Sequence, residues 1–395
     1  MLDSGFRTLM IESFRELYGS AENIRVFRAP GRVNLIGEHT DYNLGFVMPV
    51  ALDLATYVAT APAADGQLRI YSEHRSEMHQ VEAASVATLK PSGSWTDYPL
   101  GVAQQVARAG FPVQAANVLI RSTVPEGSGL SSSAALEVSS ALAFLNGRAI
   151  DPVELARLCQ RSEHQFVGIP SGIMDQYVSI FGREHVAVEI DCRSLQHRYV
   201  ELPSGAALVA VNTMVKHALA GSAYKDRVAE CKAAVAALRQ HFPAVESLRD
   251  VSVAQFRSVE STLPPLLAKR TRHVITEDDR VERFVAARGD LEQMGKLLVE
   301  SHRSLQHDYE VSCDELDFLV ETALAIPGVY GSRMTGGGFG GCTVTMLRPD
   351  AFDEFARKTE AAYQSRFRIK PPIYRCVPSA GAGELTDFAG IPPLA

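Results

Sequence analysis

Tryptophan occurs once in the 395 residues, at Trp95, and cysteine only six times, at Cys159, Cys192, Cys231, Cys313, Cys342 and Cys376. No two of these form a C-x-x-C pair and none stands at short ligand spacing from a histidine. That excludes a zinc site and a disulfide framework and points to buried thiols in a reducing compartment. Nor is there an apolar run near the ~18 residues a membrane helix needs. Arg7, Glu12, Arg15 and Glu16 interrupt the N-terminal apolar residues at helical spacing, so no signal-peptide apolar region is present. Blocks of Lys and Arg are missing too, and with a net charge of −7 this argues against a nucleic-acid surface or a polybasic membrane patch. Repeats and low-complexity segments are absent. The expectation is a soluble cytoplasmic protein that binds neither nucleic acid nor membrane, a monomer or else a dimer.

What remains is ordinary globular composition, 46% apolar and 22% charged, in a chain long enough for two domains. Strands are expected near 24–29, 33–37, 46–61, 67–73, 78–83 and 116–122, with helices near 98–110, 129–146 and 152–167. A strand at 206–213, a mostly helical stretch from 224 to about 325, a hairpin at 329–347, a helix at 350–366 and a strand at 373–378 complete the pattern. Clustered strands followed by clustered helices in both halves predict an α+β fold rather than βαβ alternation. Pro203-Ser-Gly-Ala206 suggests a boundary, giving domains over 1–205 and 206–395.

The polar groups concentrate in three places. In Arg28-Ala-Pro-Gly-Arg-Val-Asn-Leu-Ile-Gly-Glu-His-Thr-Asp-Tyr42, Arg32, Asn34, Glu38, His39 and Asp41 interrupt a short apolar run among Pro30, Gly31 and Gly37. This reads as strand, turn and loop converging on a polar ligand. Val124-Pro-Glu-Gly-Ser-Gly-Leu-Ser-Ser-Ser-Ala134 joins a strand to an Ala/Leu-rich helical run. Gly127 and Gly129 let the backbone turn its N–H groups inward, and serines fall where a helix leaves its first donors unpaired. The segment is either an anion site for phosphates, with Ser132 or Ser133 binding a phosphate oxygen or Mg²⁺, or an ordinary N-cap with a glycine turn. It has neither the Gly-Lys-Ser/Thr of a Walker loop nor the third glycine of a dinucleotide fingerprint. In Ser162-Glu-His-Gln-Phe-Val-Gly-Ile-Pro-Ser-Gly-Ile-Met-Asp-Gln176, Glu163 ends one helix and Asp175 begins the next. Asp175 either complements the helix dipole or, kept ionised by Arg32, accepts a proton.

Met334-Thr-Gly-Gly-Gly-Phe-Gly-Gly-Cys342 has G-x-G-x-x-G spacing, but a β-rich run follows it instead of a helix. It is a tight hairpin, or a loop whose backbone closely approaches a nucleotide or the other domain. His-Arg-Asp and Asp-Phe-Gly are absent, which excludes a protein kinase. Lys216, His217 and Tyr224 flank a small-residue stretch as a pocket rim or as plain surface. Trp95, in a Pro/Gly/Ser-rich loop, either stacks on a base or anchors that loop.

The stretch Gly31-Arg-Val-Asn-Leu-Ile-Gly-Glu-His-Thr-Asp-Tyr42 resembles the signature of the galactokinase family, within the superfamily that also holds homoserine, mevalonate and phosphomevalonate kinases. Pro125 to Ala135 resembles that superfamily's ATP-phosphate loop, and Gly336 to Gly341 its third motif. Gly172-Ile-Met-Asp-Gln, Ser301-His-Arg-Ser-Leu and Gly331-Ser-Arg-Met-Thr extend the likeness over nearly the whole chain. The resemblance implies a two-domain sugar-kinase fold, with a mixed-sheet N-terminal domain, an α+β C-terminal domain and the site in the cleft between. It allows the C-terminal strand to return to the first domain. The implied reaction is phosphorylation of the anomeric hydroxyl of α-D-galactose by ATP with Mg²⁺. By motif position, Asp175 would be the catalytic aspartate and Arg32 its partner. Glu38, His39, Asp41, Gly172 and Tyr224 would hold the sugar, and Ser133 and Glu163 would serve Mg²⁺. Gly127, Ser128, Gly129, Leu130, Ser131, Ser132 and Ser133 would hold the phosphates, with Trp95 near adenine. Two departures stand out: Gly-Ser-Gly where the family often has three glycines, tolerable if Ser128 has negative φ, and Ser-Ala-Tyr where Ser-Glu-Tyr is common. A sister kinase for N-acetylgalactosamine or arabinose, or a non-catalytic sugar- and ATP-binding regulator, are the alternatives; the complete Ser131-Ser-Ser-Ala-Ala135 run speaks against the regulator.

Overall fold

A computed structural model of the chain describes residues 2–19, 22–216 and 220–386. Alternation along the first strand sets its architecture. In Arg25–Asn34, Val26 joins Met10 and Phe14 in one core, while Phe27 and Ala29 join Val102, Val138 and Tyr177 in another. Period-two alternation thus gives the sheet two buried faces. The helix Leu2–Tyr18 covers one face, and the helices Asp97–Arg108, Ser132–Leu145, Pro152–Ser162 and Met174–Phe181 cover the other.

Six strands form this sheet, in the order Gly383–Glu384, Arg25–Asn34, Pro49–Pro62, Ala116–Ser122, Gln67–Ser72, Glu77–Glu82. Only Gln67–Ser72 and Ala116–Ser122 run parallel, so the sheet is mixed. A second sheet, all antiparallel, has the order Val329–Thr335, Gly340–Leu347, Ala207–Lys216, Ile373–Cys376. In Ala207–Lys216, Val209 and Val211 pack on the helices Asp314–Leu324 and Phe352–Phe367. Its alternate residues Leu208 and Ala210 instead share a core with Val33, Leu35 and Val50 of the first half. One continuous apolar cluster therefore joins the halves, and the chain returns after residue 378 to pair Gly383 and Glu384 with Arg28 and Phe27.

Several elements differ from the sequence reading. The strands expected at 24–29 and 33–37 are one strand, because a register shift between Pro30 and Arg32 absorbs Gly31 without ending it. The helix expected from 129 begins at Ser132, since Gly129 (φ +78°) and Ser131 (φ +59°) are left-handed and cannot enter an α-helix. The run 46–61 breaks at Met48 into Phe46–Val47 and Pro49–Pro62. An unforeseen hairpin, Val186–Asp191 with Gln196–Glu201, pairs with Phe46–Val47; its second strand is too polar for a clear alternation. All six cysteines are free and five are buried. Among the described residues no helix is long and apolar enough to cross a membrane. His217 lies outside the described residues.

Candidate active site

Two cavities gather the polar groups singled out in the sequence, and Asp175 lines the smaller of them. The smaller, about 130 Å³, is lined by Arg32, Glu38, His39, Asp41, Ile169, Ser171, Gly172, Met174, Asp175, Tyr224, Gly336 and Gly337. The larger, about 490 Å³, is lined by Trp95, Tyr98, Pro125, Glu126, Gly127, Ser132 and Ser133 among others. Residues 127–133 are the wall between them.

Asp175 opens the helix Met174–Phe181, and Arg32 projects from the strand Arg25–Asn34 to meet it. The guanidinium grips the carboxylate in a fork, Nε to Oδ1 and Nη2 to Oδ2, both at 2.8 Å. Ser131 Oγ donates to Oδ2 at 2.5 Å. Burial disfavours the charge on Arg32, but the carboxylates of Asp175 and Glu38 outweigh it and raise its pKa. Arg32 is fixed to the wall as well: its backbone N–H donates to Leu130 O at 3.0 Å and its Nη1 to Gly129 O at 2.5 Å.

The remaining polar groups of the small cavity hang on a left-handed turn. Gly37 (φ +88°) needs its missing side chain, since a Cβ would lie 2.4 Å from Phe46 O; His39 follows at φ +64°. Glu38 is buried, its Oε1 accepting from Gly336 N at 3.0 Å and its Oε2 from Asn34 Nδ2 at 3.2 Å and from Arg333. Burial raises its pKa, against the pull of Arg333 and Arg32. His39 is neutral because burial lowers its pKa well below the usual value. Its Nδ1 meets Tyr42 Oη at 2.9 Å, while its Nε2 is buried without a hydrogen-bond partner. Asp41 accepts from Tyr42 N at 2.9 Å; burial, reinforced by the neighbouring Asp175, raises its pKa to about 7. Gly172 has to be glycine here, because a Cβ would lie 1.6 Å from Asp41 Oδ2. Tyr224 closes the cavity, its ring 5.6 Å from that of His39. The side chain of Lys216 falls outside the described ones, so of the suggested rim only Tyr224 is seen at the cavity.

On the other side of the wall the helix Ser132–Leu145 starts without a side-chain cap, because Ser131 gives its hydroxyl to Asp175. Its first N–H groups are left for an anion. Of the loop residues expected around phosphate, Gly127, Ser132 and Ser133 line the larger cavity, as does Trp95. Ser128, Gly129, Leu130 and Ser131 do not. Ser128 donates to Pro125 O at 2.7 Å and is absent from the positive-φ residues, so the Gly-Ser-Gly departure carries no strain. Leu130 is buried in the core between the halves. The third glycine-rich motif packs backbone against backbone on this wall: a Cβ on Gly336 would lie 2.9 Å from Gly129 O.

Glu163 lies under the wall, accepting from Ser171 and from Gln176 Nε2, the latter at 3.0 Å. The same Gln176 Nε2 donates to Glu137 at 2.9 Å. Burial raises Glu163 to about 7, with the charge of Asp175 adding to it. Among the described residues no three His, Cys, Asp or Glu side chains converge as a metal cluster. One carboxylate and a serine hydroxyl are nonetheless the hard oxygen donors that suit Mg²⁺, which takes its other ligands from phosphates and water.

The sequence reading missed Arg333, Glu137, Gln176, Glu277 and His273. A charged residue inside the strand Val329–Thr335 was the available signal for Arg333, and the i,i+4 pair in His273-Val-Ile-Thr-Glu277 the signal for the last two.

Comparison with known proteins is consistent along the chain. Residues 12–62 match the galactokinase galactose-binding signature, 97–183 the GHMP kinase N-terminal domain and 284–365 the GHMP kinase C-terminal domain. A galactokinase of Roseiflexus is 44% identical over 98% of this chain and 99% of its own length. Human galactokinase is 44% identical over 89% and 90%. The crystal structure of Lactococcus lactis galactokinase complexed with galactose superposes with a TM-score of 0.91 at 32% identity, covering 96% of this chain and all of that one. Mevalonate kinase of Methanococcus jannaschii, at 16% identity over 91% of this chain and 99% of its own and a TM-score of 0.67, shares the fold.

Proposed function

The chain belongs to the galactokinase family, and from that premise we propose that it transfers the γ-phosphoryl group of ATP to the anomeric C1 hydroxyl of α-D-galactose, giving galactose 1-phosphate and ADP. The observation that carries the reading is Asp175, which lines the small charged cavity and is held there by Arg32 and by Ser131, the neighbour of Ser132 and Ser133 in the lining of the larger one.

Sugar and nucleotide divide between these cavities. Galactose offers only hydroxyls, and Glu38, His39, Asp41 and Tyr224 receive them; the backbone at Gly172 gives the ring close approach. An epimer would leave buried acceptors unpaired, which is how such a pocket discriminates. Asp175 accepts or orients the C1 hydroxyl proton, and Arg32 stabilises the charge that develops as phosphoryl moves across. Triphosphate lies along Gly127, Ser132 and Ser133 at the helix N-terminus, and adenine beside Trp95. Ser133 and Glu163 would hold Mg²⁺ together with phosphate oxygens, and the ion would supply charge neutralisation to the transfer. Gly129, Leu130 and Ser131 serve by fixing Arg32 and Asp175, and Ser128 by holding the loop through Pro125 O. The domains divide near 205. Six free cysteines support a reducing, cytoplasmic setting.

ADP release from the purified protein with ATP and Mg²⁺, across galactose, N-acetylgalactosamine, arabinose and glucose, tests this. Fastest release with galactose is expected. Release only with another sugar would reassign the substrate, and galactose binding without release would make the chain a sensor.

A further inference from the structure

We propose that Glu277 is a positioning residue for sugar recognition, holding from the second half of the chain the turn that presents Glu38 and His39. The inference rests on the reading of the small cavity as the galactose site. The helix Pro265–Ala286 runs behind the turn and touches its backbone through two side chains four residues apart, hence on one face. Glu277 Oε1 accepts from Gly37 N at 3.0 Å, from Glu38 N at 3.2 Å and from Ser301 Oγ at 2.7 Å. Its other oxygen pairs with Arg280. His273 donates from Nε2 to Glu38 O at 3.0 Å, because a carbonyl can only accept; its Nδ1 lies 3.0 Å from Ser304 Oγ.

Both peptide N–H groups of the turn and the Glu38 carbonyl are thus satisfied by one helix. The turn needs such support. Gly37 and His39 are both left-handed, and two successive N–H groups facing inward would otherwise stay unpaired. A fully buried carboxylate answers them with the charge that such a nest of N–H groups favours. Opposed by burial, the charge of Arg280 nevertheless lowers the pKa of Glu277 to about 2, so it stays ionised. Glu277 reaches neither cavity lining, so its effect on substrate passes through the Glu38 and His39 backbone alone.

A position so placed should affect one substrate and not the other. In Glu277→Gln the size is kept but an amide N–H₂ competes with the peptide donors. The galactose KM is expected to rise about tenfold, with the ATP KM within about twofold and kcat within about threefold. A scaffold role alone would lower Tm and leave both KM values alike, and equal changes in the two would overturn the inference. If Glu277→Gln does not fold, Ser301→Ala removes one donor from the same oxygen. It should raise the galactose KM by about two- to fivefold with the ATP KM unchanged, and an unchanged galactose KM overturns the inference equally. Wild type is assayed alongside. Its failure to use galactose would remove the functional reading and this inference together, whereas wild-type turnover with an unselective variant removes the inference alone.

Discussion

The small cavity gathers Arg32, Glu38, His39, Asp41 and Asp175 into about 130 Å³, and nearly every one is already bonded to a neighbour before any ligand arrives. The cavity beyond the wall is nearly four times larger at about 490 Å³, and its floor is the uncapped N-terminus of the helix Ser132–Leu145, its side Trp95 and Tyr98. There the ordered charge is slight: Arg75 and Glu126 pair at 2.5 Å on the exposed rim. A neutral sugar carries no charge to organise its own site, so the protein must fix its acceptors in advance. A triphosphate brings four charges' worth of organising field, to which backbone amides and a metal ion suffice. The contrast predicts that substitutions on the sugar side cost folding energy as well as affinity, while those on the nucleotide side cost affinity alone.

Asp175 is the most sensitive point. Asp175→Asn should lower kcat by about 10²–10⁴-fold, with galactose affinity within about tenfold, because charge and a proton acceptor are lost but little volume. Stopped turnover measured beside calorimetric sugar binding checks it, and near-normal kcat would contradict the role. On the sugar side, Glu38→Ala leaves Arg333, fully buried, without its carboxylate. Urea unfolding should show a loss of about 3–5 kcal/mol alongside a raised galactose KM.

A pH profile sharpens the contrast further. Burial and the adjacent Asp175 raise Asp41 to about 7, so below that pH its carboxyl is protonated in the free protein and cannot accept two sugar hydrogen bonds. At saturating ATP and Mg²⁺, kcat/KM for galactose should fall about tenfold per unit as pH drops below about 7. The same raised value means the folded state holds the proton more tightly than the unfolded one, so this group's stabilisation is lost as pH rises toward 7. A flat profile between pH 5 and about 8 would remove Asp41 from sugar binding. Smallest is the nucleotide side: Trp95→Ala should raise the ATP KM by about two- to tenfold and leave the galactose KM nearly unchanged.

How much of this was legible depends on sequence separation. The turn Gly37 to Asp41 announced itself because its polar groups crowd where a strand should be apolar, and Asp175 and the serine loop stand beside glycines that only a special backbone requires. Arg333 and Glu277 act on the same turn from 295 and 239 residues away, and no local pattern ties them to it. The resemblance put Ser131 among the phosphate ligands; its backbone is left-handed and its hydroxyl goes to Asp175 instead. The α+β order followed from the clustering of strands and helices, and the mixed sheet from the family resemblance. The hairpin 186–201 did not, since Gln196–Glu201 alternates polar with polar and becomes a strand through its partner.

The most direct test of the account is the position of the transferred phosphate, read by ³¹P and ¹³C NMR on the product formed from galactose and ATP. The proposed reaction, with Asp175 facing the C1 hydroxyl, predicts phosphate on the α-anomeric C1 oxygen. Phosphate on another hydroxyl, or ADP formed with galactose unchanged, would contradict it.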